Sequence, residues 1–118
     1  APPHKFTKET PMPQADLSYS AQLPIDPAAL LSKIEDVIAA HDTTSGDCKG
    51  RAHALETTHH AHILLRLRML NKPHRDDAFM QTLLSTLQTE LRALIPAPCI
   101  LGVELGFLEP HYASLTLF

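Results

Sequence analysis

Four histidines lie close together in the middle of the chain, at positions 53, 59, 60 and 62. Neutral imidazole is a common zinc ligand, so His53, His59, His60 and His62 raise the question of a metal centre. Their spacing does not favour one, because a His-His-x-His run lacks the ordinary zinc spacings and neither a carboxylate nor a cysteine pair accompanies it. We expect exposed loop histidines and no metal. A metal-binding module stays the third interpretation.

The other reactive side chains have plain interpretations. Lys49 and Arg51 stand on a predicted strand, where charges are usually solvated. Arg66 and Arg68, on the next strand, are better explained as lining an interface or the polar face of a sheet. The two cysteines, at positions 48 and 99, are too few for a disulfide framework, so we expect free thiols in a reducing compartment. Neither cysteine has a His–Asp context that would make it a nucleophile.

A helix that begins at Asp26-Pro27 organises the first half of the chain. The Asp26 side chain can accept hydrogen bonds from the first turn, and Pro27 loses nothing there by lacking an N–H. Apolar residues then recur at helical period over Leu30–Ile38. A second helix, roughly Pro73–Leu94, carries a longer leucine stripe and is stopped by Pro96 and Pro98.

Alternating apolar and polar residues predict four main strands. They are Ala15–Tyr19, Cys48–Leu55, His62–Leu70 and Ile100–Leu108. The order gives an α/β (α+β two-layer) fold: two β-α-β units forming a four-stranded mixed sheet with both helices on one face. A ferredoxin-like fold is compatible with the same order. The other sheet face needs a cover, and oligomerisation is the simplest one. Ser114–Phe118 alternates too, as an edge strand or a strand on a neighbouring subunit.

Residues 1–11 are rich in proline and contain one large apolar side chain, Phe6, so we expect a flexible tail or leader before a single domain at 12–118. A net charge of −3 argues against a nucleic-acid surface, and no apolar run approaches the roughly 20 residues of a membrane span. No signal peptide is visible, and we expect a cytoplasmic protein.

Five motifs, in order, resemble the 5-carboxymethyl-2-hydroxymuconate isomerase branch of the tautomerase superfamily. They are Pro13 with Tyr19-Ser20 and Leu23-Pro24, Asp26–Leu31, Asp47–Ala52, Leu67–Leu70 with Lys72, and Pro98–Glu104 with Leu108–Tyr112. Together they cover roughly Met12 to Tyr112. The resemblance implies a tautomerase-like fold and a homotrimer whose sheets pack around a central axis.

The resemblance also implies a chemistry. In that family an N-terminal proline is the base, so Pro13 would move a proton on an unsaturated oxo- or hydroxy-carboxylate of aromatic catabolism, without a cofactor. Arg51 and Lys49 would hold the substrate carboxylates, and Arg51 would also stabilise the enolate charge. An ordinary α-amine has a pKa near 8, which an apolar pocket and nearby cations lower toward neutrality.

This sequence departs from the family pattern in ways that matter. Twelve residues precede Pro13, so its nitrogen is a tertiary amide unless the chain starts after Met12 or is cut there. Gln14 replaces a frequent histidine, and Ser18 stands where an acid is common. A proline before a strand is also an ordinary boundary marker. The alternative is therefore a non-catalytic trimeric binding or structural protein on the same fold.

Overall fold

The computed structural model describes residues 5–118, and its centre is a four-stranded sheet. The strands are β2 (Gln14–Ser20), β3 (Lys49–Leu55), β4 (His62–Met69) and β5 (Ile100–Phe107). Helix α1 (Pro27–His41) connects β2 to β3, and α2 (Asp77–Arg92) connects β4 to β5. Two short strands, β1 (Phe6–Lys8) and β6 (Leu115–Leu117), form a separate two-stranded sheet.

The strand order β3-β2-β4-β5 confirms two β-α-β units in a mixed sheet. Within each unit the strands are parallel neighbours, β2 with β3 and β4 with β5, whereas β2 and β4 meet antiparallel at the centre. A ferredoxin-like fold splits its β-α-β units, so this pairing excludes it.

Both helices begin where a side chain can cap them. Asp26 accepts from the backbone N of Ala29 at 3.1 Å, as the sequence predicted. Asp76 accepts from the backbone N of Phe79 at 2.9 Å, so α2 begins four residues later than Pro73. A capping carboxylate, rather than the turn proline, determines where this helix starts.

The core lies between the helices and one face of the sheet. Alternate residues of β4 are buried, as its pattern predicted: Ile63, Leu65, Leu67 and Met69. The helices contribute Leu30, Ile34, Val37, Ile38, Leu83, Leu87 and Leu91. At Gly50 the edge strand passes so close to α1 that an added Cβ would lie 3.0 Å from a methyl of Leu31.

Part of the segment expected to be a tail is a strand. β1 pairs antiparallel with β6, so the alternating C-terminal residues find their partner at the other end of the same chain. All three residues of each strand are exposed, which shows that backbone hydrogen bonds rather than apolar burial order the pair. Residues 1–4 lie outside the described part of the chain.

Candidate functional site

The sheet face opposite the helices holds the charged residues. On β2 it carries Gln14, Asp16 and Ser18, because Ala15 and Leu17 between them point into the core. Register then places Lys49 and Arg51 of β3 beside Gln14 and Asp16. The pairing of β2 with β3 therefore assembles this cluster, and no local sequence motif predicts that pairing.

Arg51 is held in place by three neighbours. Its Nη1 lies 3.0 Å from Asp16 Oδ2, and its Nη2 donates to Gln14 Oε1 and, at 3.1 Å, to the backbone carbonyl of Lys49. The Arg51 side chain is 40% exposed. A guanidinium has five N–H donors, so Arg51 keeps donors for a ligand while its plane is fixed.

Asp16 stays ionised beside these groups. Partial burial raises its pKa, but the hydrogen bond and charge of Arg51, followed by those of His53, outweigh that and lower the pKa below its ordinary value. His53 Nε2 lies 3.5 Å from Asp16 Oδ1, a long contact. Asp16 therefore acts as a fixed negative charge that orients Arg51.

Pro13 is buried directly before β2. Its carbonyl accepts from the backbone N of Lys49 at 2.8 Å, which extends the β2–β3 pairing by one residue. Its nitrogen belongs to the peptide bond with Met12 and has no basicity in that form. The structure thus brings Pro13, Lys49 and Arg51 to the same end of the β2–β3 pair. The nitrogen of Pro13, the predicted base, is an amide nitrogen there.

Arg68 joins this end of the sheet from the other side. Register pairs Gln14 with Arg68 on β4 as well as with Lys49 on β3. Among residues 5–118, no hydrogen bond or ion pair engages the side-chain nitrogens of Lys49 or Arg68, whereas Arg66 lies 3.1 Å from Glu104. A depression of about 350 Å³ on this face is lined by Gln14, Asp16, Ser18, His53, Leu64, Arg66 and Arg68.

Tyr112 reaches the same cluster from the C-terminal segment. Gln14 Nε2 donates to its hydroxyl at 3.1 Å, across 98 positions of sequence. Gln14 therefore bridges Arg51 and Tyr112. Sequence reasoning assigned neither Gln14 nor Tyr112 to the site, and only a family motif around Tyr112 pointed to that segment.

The histidines do not gather around a common point. The rings of His59 and His60 are 4.1 Å apart, and His60 has a φ of 68° in its loop. His62 Nδ1 lies 2.9 Å from the carbonyl of His60, which is a local contact within the turn. Within residues 5–118, no three His, Cys, Asp or Glu side chains form a group that could hold a metal ion.

Both cysteines are poor nucleophiles. Burial and the charge of Glu35 raise the pKa of the Cys48 thiol to about 11, against a smaller lowering by Arg51. Burial also raises the pKa of Cys99. Both are free thiols, so neither takes part in a disulfide.

Nothing in the described part of the chain spans a bilayer as a helix: between residues 5 and 118, no helix has both the length and the apolarity required.

Comparison by sequence finds no family model that matches and no similar curated protein. Comparison by structure finds clear neighbours. A 5-carboxymethyl-2-hydroxymuconate delta-isomerase superposes with a TM-score of 0.70 at 18% identity, covering 87% of each chain. A 5-carboxymethyl-2-hydroxymuconate isomerase from Deinococcus radiodurans R1 gives 0.67 at 22% identity over 84% of each chain. A fused 4-OT symmetric trimer gives 0.62 at 12% identity, covering 84% of this chain and 89% of the other.

At these identities the likeness concerns the fold, and it extends over most of each chain. The resemblance based on five short motifs is thereby confirmed at the level of structure. The chain has the tautomerase fold of the 5-carboxymethyl-2-hydroxymuconate isomerases.

Proposed function

We propose that this protein is an isomerase that transfers a proton on an unsaturated oxo- or hydroxy-carboxylate, with Pro13 as the base once it is N-terminal. The observation that carries the proposal is the burial of Pro13 at the start of a central strand, beside the edge strand that bears Lys49 and Arg51. A buried secondary amine near two cations has its pKa lowered from about 8 toward neutrality.

The chemistry follows from these groups. The neutral amine of Pro13 takes a proton from the enol hydroxyl, or from one carbon of the conjugated system, and delivers it to another carbon. Arg51 and Lys49 hold a carboxylate and the negative charge that develops on the enolate oxygen. Asp16 and Gln14 keep the guanidinium of Arg51 oriented through the reaction. The substrate is a small carboxylate, and breakdown of aromatic compounds is the metabolic setting we expect.

The active assembly in this proposal is a homotrimer. The sheet face opposite the helices, called the open face below, carries the half-buried Leu64 among its charges, and the half-buried Leu70 directly follows β4. Packing three such faces around an axis would cover them, as oligomerisation generally covers apolar surface. A fused 4-OT with the same fold is a symmetric trimer.

The second candidate is a non-catalytic trimeric scaffold. A specific observation favours it: residues 5–12 run directly into Pro13, and β1 within them is paired. If that segment stays attached, the nitrogen of Pro13 remains an amide and the cations of the open face serve binding alone.

The deciding experiment compares two proteins, the full chain with residues 1–12 attached and a chain that begins at Pro13. Each is given a conjugated 2-hydroxydienoate, and loss of its ultraviolet absorbance follows conversion of the enol to the ketone. We expect activity only in the chain that begins at Pro13, and its abolition by Pro13→Ala. Absence of activity in the shortened chain, folded by circular dichroism, would establish the scaffold alternative.

A further inference from the structure

The two ends of the described chain pair as an antiparallel ribbon, formed by β1 and β6 with the residues that flank them. Lys5 and Phe118 exchange two backbone hydrogen bonds, of 3.1 and 2.9 Å, and the backbone N of Glu9 donates to Ser114 at 3.2 Å. Between them Thr7 is opposite Thr116. In an antiparallel pair the bonded positions alternate, so Thr7 and Thr116 form a bonded pair while the N–H of Lys8 points away from β6.

This ribbon contributes nothing to the core. Every residue of the buried apolar cluster lies at Ala15 or later and before β5. Phe6 is 56% exposed and Leu117 59% exposed, although they are opposite each other. The Cα radius of gyration is 15.7 Å, against about 13.5 Å for a compact chain of this length. The ribbon therefore extends from the rest of the domain, the body formed by β2–β5 and the two helices, and the core of this body contains no ribbon residue.

The ribbon is nonetheless connected to the candidate site at both ends. On the N-terminal side it continues through Met12 into Pro13, whose nitrogen it masks. On the C-terminal side, two residues before Ser114, the Tyr112 hydroxyl accepts from Gln14. Within residues 5–118, β6 has no strand partner except β1.

We propose that residues 5–12 are a removable strap, which masks the nitrogen of Pro13 and holds the C-terminal strand, and whose loss changes both at once. This inference rests on the proposed function in one respect: in an isomerase that uses Pro13 as its base, the strap keeps the enzyme inactive until it is removed. The removal is hydrolysis of the Met12–Pro13 peptide bond by a peptidase. One water is consumed, Met12 acquires a carboxylate, and Pro13 becomes a secondary amine; the proton that the new carboxyl group releases goes to the amine or to the solvent.

The body would keep its fold through this step. The hydrogen bond from Lys49 N to the Pro13 carbonyl belongs to the part that remains, as do the four-stranded sheet and both helices. An isolated two-stranded ribbon is marginally stable in water, so β6 would not hold its conformation after β1 is gone. Loss of the strap therefore releases residues 113–118 and leaves Pro13 in place.

The test measures amide hydrogen exchange and amine reactivity in the full chain and in the chain that begins at Pro13. We expect the amide of Phe118 to exchange at least tenfold faster in the shortened chain, with β2–β5 unchanged. We also expect an acylating reagent to modify Pro13 in the shortened chain alone. Equal protection of residues 114–118 in the two proteins would overturn the strap.

Two variants of the full chain separate the strap from catalysis. Thr7→Pro removes a ladder donor and should speed exchange at Phe118 at least tenfold, whereas Lys8→Pro places the same ring where no donor is lost and should keep the protection. Neither should isomerise the substrate, because Pro13 stays an amide. Retained protection in Thr7→Pro would contradict the proposal. Release of β6 and acylation of Pro13 in a shortened chain without activity would support the strap and reject the isomerase.

Discussion

Two aspartate–arginine pairs of similar geometry lie in opposite surroundings. Arg75 Nη2 is 2.8 Å from Asp42 Oδ2, and the two side chains are 2% and 3% exposed. Arg51 Nη1 is 3.0 Å from Asp16 Oδ2, and these side chains are 40% and 46% exposed. Distance does not distinguish the two pairs, but burial does, and it assigns them different roles.

The buried pair fastens the end of α1 to the turn before α2. Asp42 caps α1 and accepts from the backbone N of Thr44 at 2.9 Å and from Arg75 Nε at 2.9 Å. Arg75 Nη1 donates to the carbonyl of Leu70 at 2.6 Å, and His74 Nε2 lies 3.0 Å from Asp42 Oδ2. Both side chains are buried and paired with each other, so the remaining N–H groups of Arg75 are closed to a ligand and this pair maintains the fold.

The exposed pair is better suited to binding. Water still solvates Arg51 and Asp16, so their mutual attraction is small and a ligand carboxylate can share the guanidinium at little cost. The contrast shows that one type of residue pair, at similar distances, is closed to solvent in one place and open to it in another.

The largest expected effect comes from breaking the buried pair. Arg75→Met leaves Asp42 buried without its cation, which should lower the free energy of unfolding by about 3–5 kcal/mol. Urea denaturation followed by circular dichroism measures the loss. Arg66→Met, which breaks the exposed pair with Glu104, is the matched control and should cost less than about 1 kcal/mol. Equal losses in the two variants would refute the distinction.

Removal of the exposed arginine should affect chemistry instead. In the chain that begins at Pro13, Arg51→Ala should lower kcat/KM roughly a hundredfold, because a donor to the developing charge is lost. Steady-state kinetics with the 2-hydroxydienoate measures this, and Arg51→Lys should recover part of the rate. Arg92→Ala, on α2, is the control. An Arg51→Ala variant with unchanged kinetics would remove Arg51 from the proposed site.

Acid should weaken the buried pair next. Burial raises the pKa of Asp42, but the hydrogen bonds from Thr44, His74 and Arg75 outweigh it and hold the pKa well below its ordinary value. The stability that Asp42 contributes is thus complete above about pH 4 and is lost as the pH falls further. Urea midpoints between pH 6 and pH 3 should fall more steeply for the natural chain than for Asp42→Asn. Parallel curves would contradict this.

The smallest effect is expected at the exposed aspartate. Asp16→Asn should change the free energy of unfolding by less than about 1 kcal/mol, because both partners are close to half exposed. The same urea titration measures it beside Asp42→Asn. A loss above about 2 kcal/mol would mean that the open face is already covered in solution, as it would be in the proposed trimer.

The elements were largely predictable because their signals are local. The apolar stripe that begins at Leu30 and the cap at Asp26 lie within a few residues of each other, and both are present in α1. Alternation along β4 predicted which of its residues face the core. The start of α2 was predicted near Pro73, and in the structure the capping carboxylate of Asp76 determines it.

The candidate site was predictable only in part. Motif resemblance singled out Pro13, which lies directly before β2, and Lys49 and Arg51, which lie on the neighbouring strand β3. Gln14 and Tyr112 were not predicted as site residues, since their contact joins positions 98 apart. Arg68 was predicted to line an interface or the polar face of the sheet, and the strand register places it beside Gln14.

By itself, the sequence determined the helices, the four main strands and the two β-α-β units, because caps and periodicities act over short stretches of chain. Only the tertiary structure decided that Arg75 is buried and Arg51 is not, and that β1 pairs with β6. Local sequence around an arginine does not report its solvation, which depends on the elements that close over it. Tertiary packing therefore determined which arginine is accessible to solvent and which is used within the fold.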